Sequence, residues 1–418
     1  MSTAPTASVR VLGRERTRAR IVDAARTLFV QQGYRATSLR DIAAAAGISH
    51  PGLAKHVSSK DELLSIVLAQ MEEDSARAMD AQANAADGSP RPLPFSTLAA
   101  LNAATPGYVA LFAALTGEAS TPAHPSHAAM ARRYEEVERL SLGILDRARR
   151  DGTVHPDRAT AAEMRRFDAI WDGLQLMSLF LPDRIDVPAR LAALEERWRE
   201  PPPAEIAPPR LPPRAAAAPP APREEHGYRT GRARRAQILA AASDLFARDG
   251  YGDTALARIA QSAGASKSAV LHHFGSKEGL LEAVLDERDR ALRALAGRPP
   301  DPAQGREGLD LIARQAQEAS RRQPGLIQLY AVLSCEAAAP AHPAHTYVAE
   351  RFVAVLADVT ALFGQARDRG ELPPHRDPEQ EAMLYVALWD GLQYRWLYDR
   401  EVDISAELGA HLAQVLSR

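Results

Sequence analysis

Two histidine pairs have the spacing that most invites a chemical interpretation. Each pair is His-x-x-His after a glutamate: Glu118, His124 and His127 in one half of the chain, and Glu336, His342 and His345 in the other. Histidines three apart on a helix share a face, and imidazole suits zinc. Prolines at positions 122, 125, 340 and 343 interrupt any helix there. The sequence therefore favours a tight loop between two helices over a metal site.

No other arrangement of residues predicts catalysis. The single cysteine, Cys335, rules out a disulfide or a thiolate metal site within one chain. The sequence has neither a phosphate-binding glycine loop nor a nucleophile elbow. We therefore expect no enzyme activity, no metal and no cofactor.

The composition is that of an ordinary globular protein, with 418 residues, 46% of them hydrophobic and 25% charged, and a formal net charge of −2. The length predicts roughly two to four domains. There is no apolar run long enough to span a membrane, and residues 1–13 lack the hydrophobic segment of a secretory signal. We expect residues 1–13 to be disordered and the protein to be cytoplasmic.

The histidine pairs recur because both the front and the back of the chain are duplicated. Ile21 aligns with Ile238, an offset of 217 residues, and no gap is needed between positions 18 and 68. Farther along, the offset is 218, and Trp171-Asp-Gly-Leu-Gln aligns with Trp389-Asp-Gly-Leu-Gln. Because this period is too long for a solenoid unit, the chain is a duplicated multidomain protein. Between the copies, residues 201–222 contain ten prolines and seven alanines, which favours an extended linker.

Helical periodicity dominates each copy, and no strand pattern is evident. The signals in the first copy are Gly33 and Gly47 as terminators, Thr37 or Ser38 capping a helix over Leu39–Ala46, Ser49 capping a third helix through His56, and Ser58 or Ser59 capping a long fourth helix. The second copy repeats each signal. Two short helices joined by a glycine turn after a longer first helix describe a helix-turn-helix.

Positive charge is concentrated where the helix-turn-helix patterns lie. Residues 1–60 carry ten Lys and Arg against three Asp and Glu, and residues 223–277 carry nine against five. Since the whole chain is slightly acidic, the remainder must carry the excess negative charge. Basic segments on an acidic body suit a protein that meets DNA phosphates through these two patterns only.

The stretches from Thr37 to Leu64 and from Thr254 to Leu281 resemble the DNA-binding signature of TetR-family regulators in spacing, turn glycine, caps and the Ser-Lys before the fourth helix. The resemblance implies an all-α fold of two tandem units, arranged as a pseudo-dimer. Each unit has a three-helix DNA-binding domain and a helical domain for ligand binding and dimerisation. The implied boundaries are 1–13 (disordered), 14–60 and 228–277 (helix-turn-helix domains), 61–200 and 278–418 (helical domains) and 201–227 (linker).

The resemblance also implies roles for individual residues. Recognition-helix residues are His50, Gly52, Lys55 and His56 in the first copy and Lys267, Ser268, His272 and His273 in the second, with Ser49 and Ser266 as caps. Thr37 and Thr254 take the positions at which the family's second helix meets phosphate, and Lys60 and Lys277 begin the fourth helix, within reach of the DNA backbone.

The chain departs from the family pattern at three positions. Many members carry a phosphate-contacting tyrosine where this chain has Ala54 and Leu271. An aromatic residue kept as Phe274 in the second copy is Val57 in the first. These departures predict that the first helix-turn-helix either binds DNA more weakly or is adapted to another DNA site.

The family's helical domain holds a small-molecule pocket. The aromatic residues placed to line it are Tyr108, Phe112, Phe167 and Trp171 in the first copy and Tyr330, Phe352, Trp389, Tyr394 and Trp396 in the second. They favour an unknown effector that is apolar or aromatic. Trp171 and Trp389 also lie in the region that forms the family's dimer interface, and interface or core is the favoured role for both.

These features predict a ligand-responsive repressor that binds a double-stranded DNA operator. We expect one chain to form a monomeric pseudo-dimer, although each copy pairing with another chain is the alternative. Because the two recognition sequences differ, the operator is expected to have two unlike half-sites. The alternative function is a helical interaction or ligand-sensing protein in which one or both helix-turn-helix units no longer bind DNA.

Overall fold

The computed structural model describes residues 5–32, 34, 37–83, 93–105, 107–121, 124, 126–158, 161–202, 229–296 and 301–417. These residues form helices and their connections, which confirms the all-α fold. The first unit consists of α1 (Pro5–Gln32), α2 (Leu39–Ala45), α3 (His50–Leu53), α4 (Lys60–Ala83), α5 (Phe95–Ala104), α6 (Tyr108–Glu118), α7 (His127–Arg150), α8 (Ala161–Phe180) and α9 (Val187–Arg197). The second unit consists of α10 (Arg229–Asp253), α11 (Leu256–Ser262), α12 (Lys267–Phe274), α13 (Lys277–Ala296), α14 (Arg306–Arg322), α15 (Pro324–Glu336), α16 (His345–Asp368), α17 (Pro378–Tyr398) and α18 (Ile404–Val415), with a 3₁₀ turn at Pro302–Gln304.

Local capping fixes the first helix-turn-helix. The Ser38 hydroxyl accepts a hydrogen bond from Asp41 N at 3.2 Å, and the Asp41 carboxylate accepts one from Ser38 N at 3.0 Å. This reciprocal capping box begins α2. Gly47 follows α2 with a φ of 68°, a left-handed conformation that glycine adopts without steric cost. Ser49 then begins α3 by accepting a hydrogen bond from Gly52 N at 3.2 Å.

The first recognition helix is shorter than predicted. It spans His50–Leu53 and does not continue through His56. Beyond Leu53 the backbone forms a tighter turn than an α-helix. His56 N donates to Leu53 O at 2.8 Å, three residues back, whereas an α-helical hydrogen bond reaches four residues back. Gly52 weakens this helix further, since glycine loses the most backbone entropy on folding. In the second unit, α12 runs for eight residues from Lys267 to Phe274.

The N-terminal boundary is also different from the prediction. Helix α1 begins at Pro5, whereas disorder was expected through residue 13. Proline is well tolerated in the first turn of a helix, and no further proline or glycine occurs before Gly13. The predicted terminator Gly33 and most of the predicted linker, residues 203–227, lie outside the described residues.

The first helix-turn-helix domain packs with parts of α4 and α6 around a core of its own, whereas the helical body of the first unit and the second unit share one hydrophobic core. Helices α8 and α17, which are the same helix in each repeat, cross at its centre. A Cβ added to Gly173 would lie 1.9 Å from the Ala387 carbonyl oxygen, and one added to Gly391 would lie 1.8 Å from that of Ala169. Because these four residues are equivalent pairs in the repeat, the contact follows a pseudo-twofold axis.

Among the described residues, no single helix is long and apolar enough to cross a membrane. Of the bent helix pairs among these residues, only α5 and α6 are together long and apolar enough, by length and composition alone.

Candidate nucleic-acid interface and internal cavity

The second recognition helix presents a polar, basic face to solvent. Lys267, Ser268 and His272 on α12 are exposed, and His273 is half-buried. Ser266 caps the helix by accepting a hydrogen bond from Ala269 N at 3.1 Å. The helix therefore carries an ammonium, a hydroxyl and an imidazole in positions where they are able to meet DNA phosphates or base edges.

The first recognition helix offers a smaller polar surface. His50 on α3 and Lys55 in the following turn are exposed, whereas Gly52 and His56 are half-buried. Lys55 lies outside the helix, so its position depends on the turn after Leu53. The two candidate DNA surfaces thus differ in helix length as well as in sequence.

The two threonines predicted to meet phosphate are buried, at 1% exposure for Thr37 and 0% for Thr254. The Thr37 hydroxyl donates to Leu28 O at 3.2 Å, and the Thr254 hydroxyl donates to Gly250 O at 2.6 Å. Each hydroxyl therefore ties the start of the second helix to the end of the first. This arrangement turns the threonine hydroxyls away from solvent, contrary to the predicted phosphate contact.

The lysines that begin the fourth helices also serve the fold. Lys60 Nζ donates to the carbonyl oxygens of Tyr34 and Thr37, both at 2.9 Å, and lies 4.4 Å from the centre of the Tyr34 ring. Lys277 Nζ donates to Gly252 O at 3.2 Å and lies 4.2 Å from the Tyr251 ring centre. An ammonium near the end of a helix interacts favourably with carbonyl groups there and with the helix dipole. Both lysines therefore join the fourth helix to the DNA-binding domain.

The histidine loops join each DNA-binding domain to its helical body. The rings of His124 and Tyr34 meet edge-on with 5.5 Å between centroids, and those of His342 and Tyr251 with 5.2 Å. His342 Nδ1 accepts a hydrogen bond from Ala344 N at 3.1 Å, and burial lowers the pKa of this imidazole to about 4. Within the described part of the chain, no three His, Cys, Asp or Glu side chains are grouped to hold a metal ion.

A cavity of about 750 Å³ lies in the helical body of the first unit. Its walls are mainly apolar and aromatic, including Phe95, Leu98, Tyr108, Phe112, Val137, Leu140, Ile144 and Trp171. Cys335, Tyr394 and Arg395 of the second unit complete the lining. The volume suits a drug-sized molecule, and the lining places such a molecule at the contact between the units.

Two carboxyl groups lie one helical turn apart in this cavity. Burial, reinforced by the charge of Asp172, raises the pKa of Asp168 well above its usual value. Burial also raises the pKa of Asp172 to about 6, although the Arg133 guanidinium opposes the shift. The Oδ1 atom of Asp168 lies 3.5 Å from the Ser141 hydroxyl, whereas its Oδ2 atom has no hydrogen-bond partner among the described residues.

The predicted pocket residues separate into three groups. Tyr108, Phe112 and Trp171 line the cavity as predicted. Tyr394 was predicted to line a pocket in the second unit, but it lines the cavity of the first unit. Phe167 packs instead against Phe95 and Trp198 in the core, with ring centroids 5.0 and 4.8 Å apart. Tyr330, Phe352, Trp389 and Trp396 do not line this cavity.

In the second unit, charged side chains occupy the corresponding region. The Arg288 guanidinium is buried and stacks 4.2 Å from the centre of the Tyr330 ring, while Arg351 lies 4.6 Å from the same ring. Arg288 also forms an ion pair with Asp289 at 2.8 Å. The Tyr347 hydroxyl donates to Asp289 Oδ2 at 2.6 Å. We call Arg288, Asp289, Tyr330, Tyr347 and Arg351 the arginine plug.

The polar residues of both regions were not predicted from the sequence. Asp168 and Asp172 are four residues apart in an otherwise largely apolar helix, α8, and that pattern was the available signal. Arg288 gave no such signal, because it lies in a helix rich in charged residues. Its burial depends on contacts between helices that are distant in sequence.

Comparison with known proteins identifies both helix-turn-helix segments. The sequence model of the family described as bacterial regulatory proteins, tetR family, matches residues 21–66 and 238–284. The transcriptional regulatory protein RaaS of Mycobacterium tuberculosis is 28% identical over 178 residues, which cover 41% of this chain and 76% of RaaS. The transcriptional regulator TtgR of Pseudomonas putida is 29% identical over 170 residues, covering 39% of this chain and 80% of TtgR.

Several solved structures are also similar to part of this chain. A TetR-family regulator from Agrobacterium tumefaciens matches 45% of this chain and 100% of its own, with 21% identity and a TM-score of 0.37. The tylp regulator from Streptomyces fradiae matches 46% of this chain and 89% of its own, with 25% identity and a TM-score of 0.36. The SmeT–triclosan complex matches 44% of this chain and 92% of its own, with 21% identity and a TM-score of 0.38.

Proposed function

We propose that the chain consists of two TetR-family regulator units fused in tandem and that one polypeptide acts as a complete, ligand-responsive repressor. The family model matches both helix-turn-helix segments, and the relatives reported above are named as transcriptional regulators. Residues 14–200 and 228–418 take the places of the two subunits of a dimer, each with its helix-turn-helix domain, at 14–60 and 228–277, ahead of its helical domain. The linker, 201–227, connects them. The observation that carries this proposal is the pairing of α8 with α17. Its action on chromosomal DNA places the protein in the cytoplasm.

The ring-stacking and glycine contacts between the units are related by the pseudo-twofold symmetry. His127 stacks on Tyr398 with 5.6 Å between ring centroids, and the equivalent His345 stacks on the equivalent Phe180 at 5.0 Å. The contacts of Gly173 and Gly391 are related in the same way. Symmetry of this kind is characteristic of dimer interfaces in which both partners use the same surface.

Ion pairs across the same interface are not symmetric. Arg395 pairs with Glu138, and Arg166 pairs with Glu407 at 2.8 Å. The repeat-equivalent positions of the first pair are Met177 and Leu356, and neither is charged. The charges at the interface are therefore complementary only when a first unit packs against a second unit.

This asymmetry disfavours pairing between two identical units. Two first units would leave Glu138 facing Met177, and two second units would leave Arg395 facing Leu356. Arg395, which is 9% exposed, then loses its partner at a cost on the order of 1–3 kcal/mol, whereas Glu138 keeps Arg165 of its own unit at 3.4 Å. Pairing of unlike units within one chain avoids this cost, which supports the pseudo-dimer over two chains that dimerise through like units.

The DNA-binding residues proposed are the solvent-facing ones. They are Ser49, His50, Gly52, Lys55 and His56 in the first unit and Ser266, Lys267, Ser268, His272 and His273 in the second. A pseudo-dimer places one recognition helix on each half-site of an operator. Since the helices differ in length and sequence, each half-site has its own preferred sequence.

Selection of bound duplexes from a random DNA library tests this proposal. The wild-type protein is expected to enrich an operator with two unlike half-sites. A variant in which residues 49–57 replace residues 266–274 has two identical recognition segments, and it is expected to enrich a palindrome. A palindrome for the wild-type protein, or failure to enrich any sequence, would contradict the proposal.

The cavity supplies a route from an effector to the DNA-binding domain. Helix α4 contributes Ala69 and Glu73 to the cavity lining and begins at Lys60, which bonds to the end of the first helix. A molecule that separates α4 from α7 therefore moves the first recognition helix. The effector acts by binding more tightly to the conformation with low DNA affinity.

A further inference from the structure

The duplicated chain allows one unit to be compared directly with the other. Three positions around the cavity keep their character in both units: an aromatic ring (Phe112 and Tyr330), an arginine (Arg133 and Arg351) and an aspartate (Asp172 and Asp390). The two regions therefore have a common origin in the duplicated unit. The positions that differ between them indicate what each unit now binds.

The main difference is the arginine plug. Arg288 occupies the position held in the first unit by Met71, which is buried and uncharged. The Arg288 guanidinium is 4% exposed, and its Nε atom lies 3.4 Å from the Leu326 carbonyl oxygen. In the second unit, a side chain of the protein itself therefore provides a cation stacked on an aromatic ring.

The first unit has the opposite charge balance. Asp168 takes the position of Val386, so the first cavity has two carboxyl groups on α8, Asp168 and Asp172, near the half-buried Arg133. Arg395 of the second unit also lines the cavity, but its guanidinium is paired with Glu138. In the second unit, Asp289 and Asp390 are balanced by Arg288 and Arg351. Asp168 is 7% exposed, and within the described part of the chain its Oδ2 atom lacks a hydrogen-bond partner. The first cavity is therefore one positive charge short of the balance that the second unit has.

We propose that the chain binds a single organic cation with an apolar aromatic body, held in the first unit by Asp168 and Asp172, while Arg288 takes the equivalent place in the second unit. The body of the ligand lies against Phe95, Phe112 and Trp171. This inference rests on the proposed function only in naming the ligand as the effector. The second DNA-binding domain is then held in one state by the arginine plug, and the first is the one that responds.

Three pyrene probes test the charge requirement without any DNA. Pyrenemethylamine is cationic, pyrenemethanol neutral and pyrenecarboxylic acid anionic, and all three share one fluorescent ring system. We expect one equivalent of the amine to bind per chain, about tenfold or more tighter than the alcohol, because a hydrogen bond between charged groups is stronger than one between neutral groups. Asp168→Asn is expected to remove most of that preference. Asp146→Asn, on the exposed side of α7, is the matched control and is expected to preserve it.

The affinity for the amine is also expected to rise between pH 5 and 7.5. The raised pKa values of Asp168 and Asp172 (about 6 for the latter) mean that both must lose protons to face a cation. The other titratable or charged groups that face this site are Glu73 on α4, Tyr108 on α6, Arg133, Tyr134, Glu136 and Arg147 on α7, Cys335 on α15, and Tyr394 and Arg395 on α17. The carboxylates among them, Glu73 and Glu136, are both exposed. The affinity for the alcohol is expected to stay constant over this range.

Arg288→Met places the residue of the first unit in the second. If the variant folds, as judged by its circular dichroism, we expect a second equivalent of the amine to bind. Two equivalents in the wild-type protein, equal affinities for amine and alcohol, or no binding of any probe would each overturn the proposal. Because none of these titrations contains DNA, their failure leaves the proposed DNA binding intact, and a failed operator selection leaves the ligand result intact.

Discussion

Gly173→Ala is expected to lower the free energy of unfolding by about 3 kcal/mol or more, because it inserts a methyl group into a packed backbone contact. The new Cβ would lie 1.9 Å from the Ala387 carbonyl oxygen and 2.6 Å from its carbonyl carbon. Backbone atoms on α17 are unable to move aside as a flexible side chain would. Helices α8 and α17 must therefore separate, and the shared core opens with them. Urea unfolding followed by circular dichroism measures the change.

Gly143→Ala is the matched control for this prediction. Gly143 lies in α7 and is exposed, and a Cβ added there would meet no atom of a neighbouring described residue within 4 Å. The same substitution is expected to stabilise the protein there by about 0.5–1 kcal/mol, since alanine favours a helix interior over glycine. Similar effects of the two substitutions would show that the crossing of α8 and α17 is not the close contact described.

Lys267→Ala is expected to weaken operator binding about tenfold to a hundredfold, the range for losing a direct contact to DNA. Lys267 is exposed at the start of α12, where the helix N-terminus also favours the negatively charged phosphates. If the ammonium contacts phosphate, the slope of log affinity against log salt concentration also falls by about 0.9. Fluorescence anisotropy with a labelled operator at several salt concentrations measures both quantities.

Two further variants serve as a control and a comparison for Lys267→Ala. Arg199→Ala removes an exposed positive charge beyond α9, where it pairs with Glu196, and is expected to leave DNA affinity unchanged. Lys55→Ala is expected to have a smaller effect than Lys267→Ala, since Lys55 lies in a turn beyond the short helix α3. If neither lysine variant affects affinity, the helix-turn-helix domains are not DNA readers, and the alternative of an interaction or sensing protein is favoured.

Much of the fold could be predicted because its signals are local. Ser49 and Ser266 cap the recognition helices as their positions indicated, through hydrogen bonds to residues three positions ahead. Gly47 and Gly264 take left-handed conformations in the turns. Such signals depend on a few neighbouring residues, and the internal repeat presented each of them twice.

The roles that were not predicted depend on contacts between distant segments. Thr37 and Lys60 occupy positions associated with phosphate, but the structure directs their polar atoms to the end of the first helix. Burial of Arg288 requires α13 to meet the aromatic ring of Tyr330 on α15. Helical periodicity carries no information on such pairs, because it reports which face of a helix is apolar and not what that face meets.

The pairing of units was likewise beyond the sequence patterns. Trp171 and Trp389 pointed to the interface region, yet the closest contacts come from Gly173 and Gly391 two residues later. The sequence does not show whether a helical glycine allows a second helix to approach closely or simply weakens its own helix. The answer depends on which helix packs against it, and that helix is distant in sequence.

The mass of the purified protein, measured by sedimentation equilibrium alone and with a saturating amount of its selected operator, tests the central claim most directly. A single-chain pseudo-dimer is predicted to have the mass of one chain, 45.3 kDa, when free. It is also predicted to bind one duplex with one chain. A free mass of two chains, or two chains on each operator, would show that each unit finds its partner in another molecule and would contradict the account.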